Sequence, residues 1–136
     1  NFLYDTYYAR KHGVETTASS RRGSLKSPPS IGPSNIYLKK GALSLEKNIA
    51  AISNGIFITD LMGLHTANPI TGDFSVGASG VLIENGNLTN PVKGFAIAGN
   101  LVELLRNVSA VGSDIKFWGS LGAPSLVVSQ LSISGA

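Results

Sequence analysis

The chain has 136 residues, no cysteine and a formal net charge of +3 at pH 7. This length is typical of one domain with its own core, and the lack of cysteine excludes disulfide bonds, thiol catalysis and cysteine metal ligands. No apolar run approaches the ~20 residues of a membrane-spanning helix, and the first residues lack the layout of a signal peptide. We therefore expect a cytoplasmic protein without a membrane partner.

Charged residues are few and unevenly spread. Only 14% of the residues are charged, below the usual fraction of about a quarter. This indicates either a surface covered by more polypeptide or by a partner, or a larger core than usual. Residues 1–47 carry a net charge of +5 and residues 48–136 carry −2. Because the basic part lacks a nucleic-acid-binding motif, a solvated face is favoured over a nucleic-acid interface.

The N-terminal part combines an aromatic run with a long polar segment. FLYDTYY at 2–8 predicts a strand, or a strand running into a short helix. Residues 15–34 are mostly small, polar, Pro or Gly, which predicts a flexible loop with Arg21 and Arg22 at its middle. This loop is either a mobile flap that contacts a partner or a disordered connector. The abrupt start in an aromatic run indicates a piece of a longer protein.

The middle of the chain carries one helix signal and several strand signals. Ser44 can cap a helix that continues to about Ser53. The pair Asn85-Gly86 is a strong signal for a tight hairpin turn. The strands predicted here cover residues 35–38, 56–59, 74–84 and 95–98.

The last third predicts a second helix followed by short strands. Asn100 can cap this helix, and Glu103 stands at the position of a capping-box partner. Helical spacing predicts a buried stripe of Leu101, Leu104, Leu105 and Val108. Turns are expected at 111–114 and 121–124, and strands at 115–118, 125–128 and 131–133.

Together these elements predict a single α+β domain over residues 1–136, mostly β. It would contain about eight short strands and two short helices. The strands would form an antiparallel or mixed sheet, or a barrel-like sandwich.

Residues 55–86 are the candidate site because they hold six glycines beside a polar centre, Thr71-Gly72-Asp73-Phe74-Ser75. The chain has two histidines, His12 and His65, whereas a catalytic zinc site needs three protein ligands. We therefore predict no complete metal site, although His65 could supply one ligand to a shared site.

Other catalytic arrangements in this stretch are weak. Ser75 lacks the spacing of a G-x-S-x-G nucleophile elbow, and the run GASG lacks the lysine and helix of a phosphate loop. Asp60 and Asp73 could form an acid–base pair, but a turn-capping role is commoner for such residues. We predict no catalytic residue in this chain.

Four segments in order carry a family resemblance: ITDLMG at 58–63, ITGDFSVGASGVLIENG at 70–86, PVKGFAIAGNLVELLRNVSAVGSDI at 91–115 and GAPSLVVSQLSISG at 122–135. This series resembles the C-terminal domain of the TldD/PmbA proteins. These proteins are often labelled modulators of DNA gyrase and are associated with metallopeptidase activity. The aromatic segment at 2–13 and the polar loop after it fit the same domain.

The resemblance implies a particular branch of that family. In the catalytic branch, a His-Glu motif with a second His, upstream of this region, and a cysteine near the C-terminus bind zinc. The corresponding stretch here, 117–124, has no cysteine. Residues 59–63 and 71–75 resemble the PmbA branch, also called TldE-like. This resemblance implies a subunit that lacks its own zinc site and acts as a partner of the catalytic subunit.

Three hypotheses follow for function. The favoured one is a PmbA-like domain that forms a homodimer, or a heterodimer with a TldD-like subunit, and helps to bind a peptide or unfolded protein, with zinc in the partner. The second is a domain of an active zinc peptidase completed by residues outside this chain, with His65 or Asp73 in the site. The third is a purely structural dimerisation domain. The predicted peptide-binding or signature residues are Met62, His65, Gly72, Asp73, Ser75 and Gly77.

Overall fold

The computed structural model describes residues 2–135, which form eleven strands, three α-helices and one 3₁₀ helix. This confirms the predicted α+β class, dominated by β structure. The described strands pair in four sheets, and none of these sheets closes into a barrel. The strand count exceeds the predicted number because several pairings involve only two or three residues, which is too short to give a period-two pattern.

The described chain divides into two compact units. One unit comprises the residues up to Leu38 together with Lys116–Ala123, and the other comprises Lys39–Ile115 and the residues from Pro124 onward. The single domain over 1–136 stays a prediction.

The first unit contains a helix, a hairpin and a small sheet. Asp5 caps the helix by accepting a hydrogen bond from the Tyr8 amide. The short helix of the prediction is therefore present from Thr6 onward, but residues 2–5 do not form the predicted strand. In the small sheet, residues Leu121–Ala123 form a strand. The turn predicted at 121–124 is therefore wrong. The elements are α1 (Thr6–His12), β1 (Ser20–Arg21), β2 (Ser30–Ile31), β3 (Ile36–Tyr37), β8 (Lys116–Trp118) and β9 (Leu121–Ala123).

The segment 15–34 is not wholly irregular. Strands β1 and β2 pair antiparallel, with Ser20 opposite Ile31 and Arg21 opposite Ser30. The segment therefore forms a short hairpin whose tip lies between residues 22 and 29. Its flexibility stays a prediction.

The second unit is organised around a four-stranded antiparallel sheet, whose neighbouring strands are, in order, Ser132–Ser134, Asn87–Asn100, Asp73–Glu84 and Asn54–Met62. Ser44 caps the first helix of this unit as predicted, by accepting a hydrogen bond from the Lys47 amide. The elements are α2 (Leu45–Ala50), β4 (Asn54–Met62), the 3₁₀ helix (Leu64–Thr66), β5 (Asp73–Glu84), β6 (Asn87–Asn100), α3 (Leu101–Arg106), β7 (Val108–Val111), β10 (Leu126–Val128) and β11 (Ser132–Ser134).

The core of this unit lies on one face of the sheet. Four buried side chains, Val76 and Ala78 of β5 and Phe95 and Ile97 of β6, face each other in register. Half-buried apolar residues from β4, from β5 and β6 themselves and from the residue before β11 surround them, so one strand pair organises the packing. These surrounding residues are Ile56, Ile58, Phe74, Val92 and Leu131.

The hairpin predicted at Asn85-Gly86 is confirmed. Both residues have positive φ, 50° and 78°, which is the geometry that favours Asn-Gly in a two-residue turn. The first of the flanking strands, Asp73–Glu84, agrees with the strand predicted at 74–84. The second, Asn87–Asn100, is longer than the strand predicted at 95–98.

The cap predicted for the second helix is confirmed, but the prediction of a buried apolar stripe on that helix is wrong. The Asn100 side chain accepts a hydrogen bond from the Val102 amide. Leu101 and Leu105 are 52% and 51% exposed, and Val108 begins β7 instead of extending the helix. A helix of six residues makes less than two turns, so it is too short to carry the predicted stripe.

The helices of the described residues are all short. The longest has seven residues, so no described helix could cross a membrane.

Candidate functional site

All of the predicted site residues lie in the connection from β4 to β5 or directly next to it. Met62 ends β4 and lies opposite Gly77 of β5. His65 lies in the 3₁₀ helix, and Gly72 directly precedes β5, which contains Asp73 and Ser75. The structure thus brings Met62 and Gly77 together and groups Gly72, Asp73 and Ser75 at one end of the sheet.

Asn68 shapes the tip of this connection. Its side-chain oxygen accepts hydrogen bonds from the backbone amides of Ile70 at 2.9 Å and Thr71 at 3.3 Å. Its own backbone closes the base, because its amide donates to the Asp73 carbonyl and its carbonyl accepts from the Gly72 amide. Asparagine often has this role in tight turns. The turn is therefore stabilised by hydrogen bonds among its own residues.

Asn100 joins the same turn to the start of α3. Its side-chain amide donates to the Thr71 carbonyl at 2.8 Å and to the Asp73 carboxylate at 2.9 Å. Its side-chain oxygen accepts from the Val102 amide at 2.9 Å. One side chain therefore connects the loop, strand β5 and the helix N-terminus.

Gly72 is required by the geometry of the turn. Its φ of +81° lies in the left-handed region, which glycine adopts without the cost that a Cβ brings. A Cβ at this position would also lie 3.4 Å from the side-chain amide of Asn100. The Gly72 carbonyl accepts a hydrogen bond from the Leu101 amide at 2.8 Å, which fixes the turn against α3.

Asp73 is an anchored carboxylate. The hydrogen bond from Asn100 is the main cause that holds its pKa below the ordinary value of 3.8, and the Thr71 side chain lowers the pKa further. Both contacts favour the ionised form. Asp73 is therefore a negatively charged hydrogen-bond acceptor at neutral pH, in a structural contact with the turn.

Thr66 ties the 3₁₀ helix to the beginning of β5. Its hydroxyl lies 2.8 Å from the Gly63 carbonyl and 3.4 Å from the Ser75 carbonyl. The backbone of Ser75 therefore contributes to the anchoring of the connection.

The sheet face opposite the core is lined by small side chains next to Met62. Ser75 is paired with Ala98, and Gly77 with Ala96. Met62 is 55% exposed and provides the nearest atoms to a Cβ placed on Gly77, at 3.6 Å. Small side chains let another backbone approach a sheet closely. Ser75 is exposed on this face, whereas the Met62 side chain lies over Gly77 beside edge strand β4.

The described residues do not provide a zinc site. His65 is exposed, and no group of three or more His, Cys, Asp or Glu residues within 2–135 is arranged to hold a metal ion. A zinc ion would therefore need ligands from outside the described residues.

Two residues of the site were not identified from the sequence. No role was predicted for Asn68, and Asn100 was predicted only as a helix cap. The sequence signal for Asn68 is its place before Pro69 and four residues before Gly72. The contact of Asn100 with Thr71 spans 29 positions, and no local pattern reveals it.

Comparison with known proteins assigns this architecture to a family. Residues 1–135 match the family model described as the PmbA/TldA metallopeptidase C-terminal domain. The chain is 33% identical over 134 residues to the metalloprotease PmbA of Escherichia coli O157:H7. The aligned region covers 98% of this chain and 27% of that protein. The chain therefore belongs to the PmbA/TldD family and corresponds to its C-terminal domain, which confirms the predicted resemblance.

Solved structures support the same assignment. A Thermotoga maritima protein named a modulator of DNA gyrase has a TM-score of 0.78 and 36% identity, over 98% of this chain and 30% of that one. TldE from Thermococcus kodakarensis has a TM-score of 0.78 and 32% identity, over 99% of this chain and 31% of that one. The chain thus spans less than a third of the length of these relatives.

Proposed function

We propose that this chain is the C-terminal domain of a PmbA-like subunit that acts in peptide processing as the non-catalytic partner of a zinc-bearing, TldD-like subunit. In this proposal the two subunits form a heterodimer in the cytoplasm, and this domain forms part of the wall that holds an extended peptide or an unfolded protein. The catalytic zinc lies in the partner.

The observation that carries the proposal is the use of the polar side chains at the site. Asn68, Asn100 and Asp73 all bond to groups of this turn or of α3. A catalytic acid or base must reach a substrate proton within hydrogen-bonding distance, whereas these groups hold a loop in place. The site therefore suits binding and positioning better than bond cleavage.

The neighbouring sheet supplies a surface for a peptide. Among the described strands, β4 pairs only with β5, so its outer edge can accept an extended chain by backbone hydrogen bonding. Ser75 is small and exposed, which leaves room for a substrate side chain, and the Met62 side chain over Gly77 offers an apolar contact beside it. We assign Met62, at the end of β4, to the contact surface, with His65, Gly72, Asp73, Ser75 and Gly77 next to it.

The first test is an activity measurement on the full-length parent protein, alone and mixed with a TldD-like subunit from the same organism. We expect bound zinc and peptide cleavage in the mixture, with no cleavage by the parent alone. Peptidase activity and stoichiometric zinc in the isolated parent would contradict the partner role and favour an active enzyme.

The second test locates the peptide. A photo-crosslinking amino acid replaces Met62 in the full-length complex, and the matched control replaces Leu88, which is similarly exposed at 47% but lies near the far hairpin. We expect an unfolded peptide to crosslink at position 62 and not at 88. An active complex without labelling at position 62 would instead support a purely structural role.

A further inference from the structure

The hairpin of the first unit contains a sequence that its fold leaves accessible. Arg21, Arg22, Gly23, Ser24 and Leu25 follow one another across the end of β1 and the loop to β2. Two arginines thus stand three and two positions before a serine, and an apolar residue stands directly after it. The proposed peptide-processing role uses none of these residues.

Ser24 lies at an exposed turn. Its carbonyl accepts a hydrogen bond from the Ser27 amide at 3.2 Å, and the two hydroxyl oxygens are 2.7 Å apart. Leu25 is 94% exposed. Both side chains are therefore accessible to an enzyme that approaches from solvent.

The hairpin can open at low cost. Its ladder consists of two residue pairs, Ser20 with Ile31 and Arg21 with Ser30, and two-stranded ribbons are marginally stable on their own. An extended conformation of residues 21–25, which a kinase cleft needs, is accessible without disruption of a core.

We propose that Ser24 is a phosphorylation site for an arginine-directed serine/threonine protein kinase. The Ser24 oxygen attacks the γ-phosphorus of ATP, and a new P–O bond forms as the bond to the β-phosphate oxygen breaks. The hydroxyl proton passes to the catalytic aspartate of the kinase, and ADP leaves.

The charge pattern selects Ser24 among the serines of this hairpin. Kinases discriminate between substrates by complementary charge at positions around the acceptor. Arg21 and Arg22 fit acidic pockets, and Leu25 fits an apolar pocket. Ser27 has Ser24 and Leu25 at the same two upstream positions and therefore lacks the signal, although the two hydroxyls are neighbours.

The hairpin also suits the product. Residues 16–45 contain five Lys or Arg and no Asp or Glu, so a phosphate with a charge of roughly −1.5 to −2 has no acidic neighbour in that segment. In the unphosphorylated protein Arg21 donates a hydrogen bond to the Pro33 carbonyl. The exposed side chains of Arg22 and Lys26 can bond to the phosphate. Phosphorylation should order the hairpin and protect it from trypsin.

The first arm of the test asks whether the folded protein is a substrate. The full-length protein is incubated with ATP and the catalytic subunit of cyclic-AMP-dependent protein kinase, and the products are mapped by mass spectrometry. We expect the wild type to gain one phosphate, on Ser24. Ser24→Thr and Ser27→Ala should still be phosphorylated at position 24, and Ser24→Ala should not. In Arg22→Ala the phosphorylation should be at least tenfold slower. Phosphate on Ser27, or none in the wild type, would overturn the proposal.

The second arm examines the native protein. Purified from its own cells and digested, it should yield the phosphorylated peptide that contains Ser24. The phosphorylated fraction should also resist limited trypsin digestion at Arg21 and Arg22. If Ser24 carries no phosphate in any growth phase, the site is not used and the proposal fails.

Discussion

Asn100 shows how one side chain can determine the geometry of a site. Its amide group holds the Thr71 carbonyl and the Asp73 carboxylate, while its oxygen caps α3. A carboxylate that accepts from an amide is held more strongly than a neutral acceptor. Removal of this residue therefore affects the loop, the strand and the helix together.

The variant Asn100→Ala should lower the free energy of unfolding by about 2 kcal/mol, since it loses a helix cap and two further hydrogen bonds. Denaturant unfolding monitored by circular dichroism measures this change. The matched control is Asn107→Ala at the other end of α3, where the helix contacts come from the backbone. An equal loss in both variants would contradict the assigned role of Asn100.

The lowered pKa of Asp73 gives a second prediction at this scale. Because the carboxyl has a lower pKa folded than unfolded, its contribution is present above the ordinary value of 3.8 and is lost as pH falls through the folded pKa. In Asn100→Ala the pKa of Asp73 should rise toward 3.8, as measured by NMR titration of the carboxyl carbon. Glu46 is the control, because the Ser44 hydrogen bond is the main cause that lowers its pKa, and its titration should not change.

At the scale of the elements, the pairing of β4 with β5 depends on close backbone approach. The register shifts between Ile58 and Asp60, and Gly80 lies next to this irregularity. A Cβ on Gly80 would overlap the Phe57 carbonyl oxygen and lie 3.1 Å from the Ile58 Cα. Both obstacles belong to the backbone, which cannot rotate away as a side chain can.

We therefore expect Gly80→Ala to destabilise the protein by about 3 kcal/mol. Gly77→Ala is the matched control in the same strand, because its nearest neighbours are Met62 atoms at 3.6 Å or more, an ordinary contact distance. Thermal unfolding should show a large loss for the first variant and little change for the second. Similar midpoints for both would show that the β4–β5 pairing tolerates a side chain at position 80.

At the scale of the whole molecule, stability rests on a small core beside much exposed apolar surface. Phe95 is 1% exposed and is the largest fully buried side chain among residues 2–135, whereas Phe2 is 82% exposed. The variant Phe95→Ala should cost about 3–5 kcal/mol, because it removes apolar contacts and leaves a cavity. Phe2→Ala should change the denaturation midpoint little, and a comparable loss there would contradict this location of the core.

The sequence determined the local features of the fold. The pair Asn85-Gly86 predicted the central hairpin, Ser44 and Asn100 predicted helix caps, and the apolar runs beside the hairpin predicted β5 and β6. These signals depend on backbone conformations and capping bonds within a few residues. The four segments that resemble the TldD/PmbA family were also identified from the sequence, in their order along the chain.

Only the tertiary structure decided which side chains meet. The apolar residues Leu101 and Leu105, which helical spacing had predicted to be buried, proved to be about half exposed. The contacts of Asn100 with Thr71 and Asp73 join positions 29 and 27 residues apart. Composition and periodicity describe near neighbours along the chain, whereas such contacts arise only when β5 and β6 pair and bring the two ends of the hairpin together.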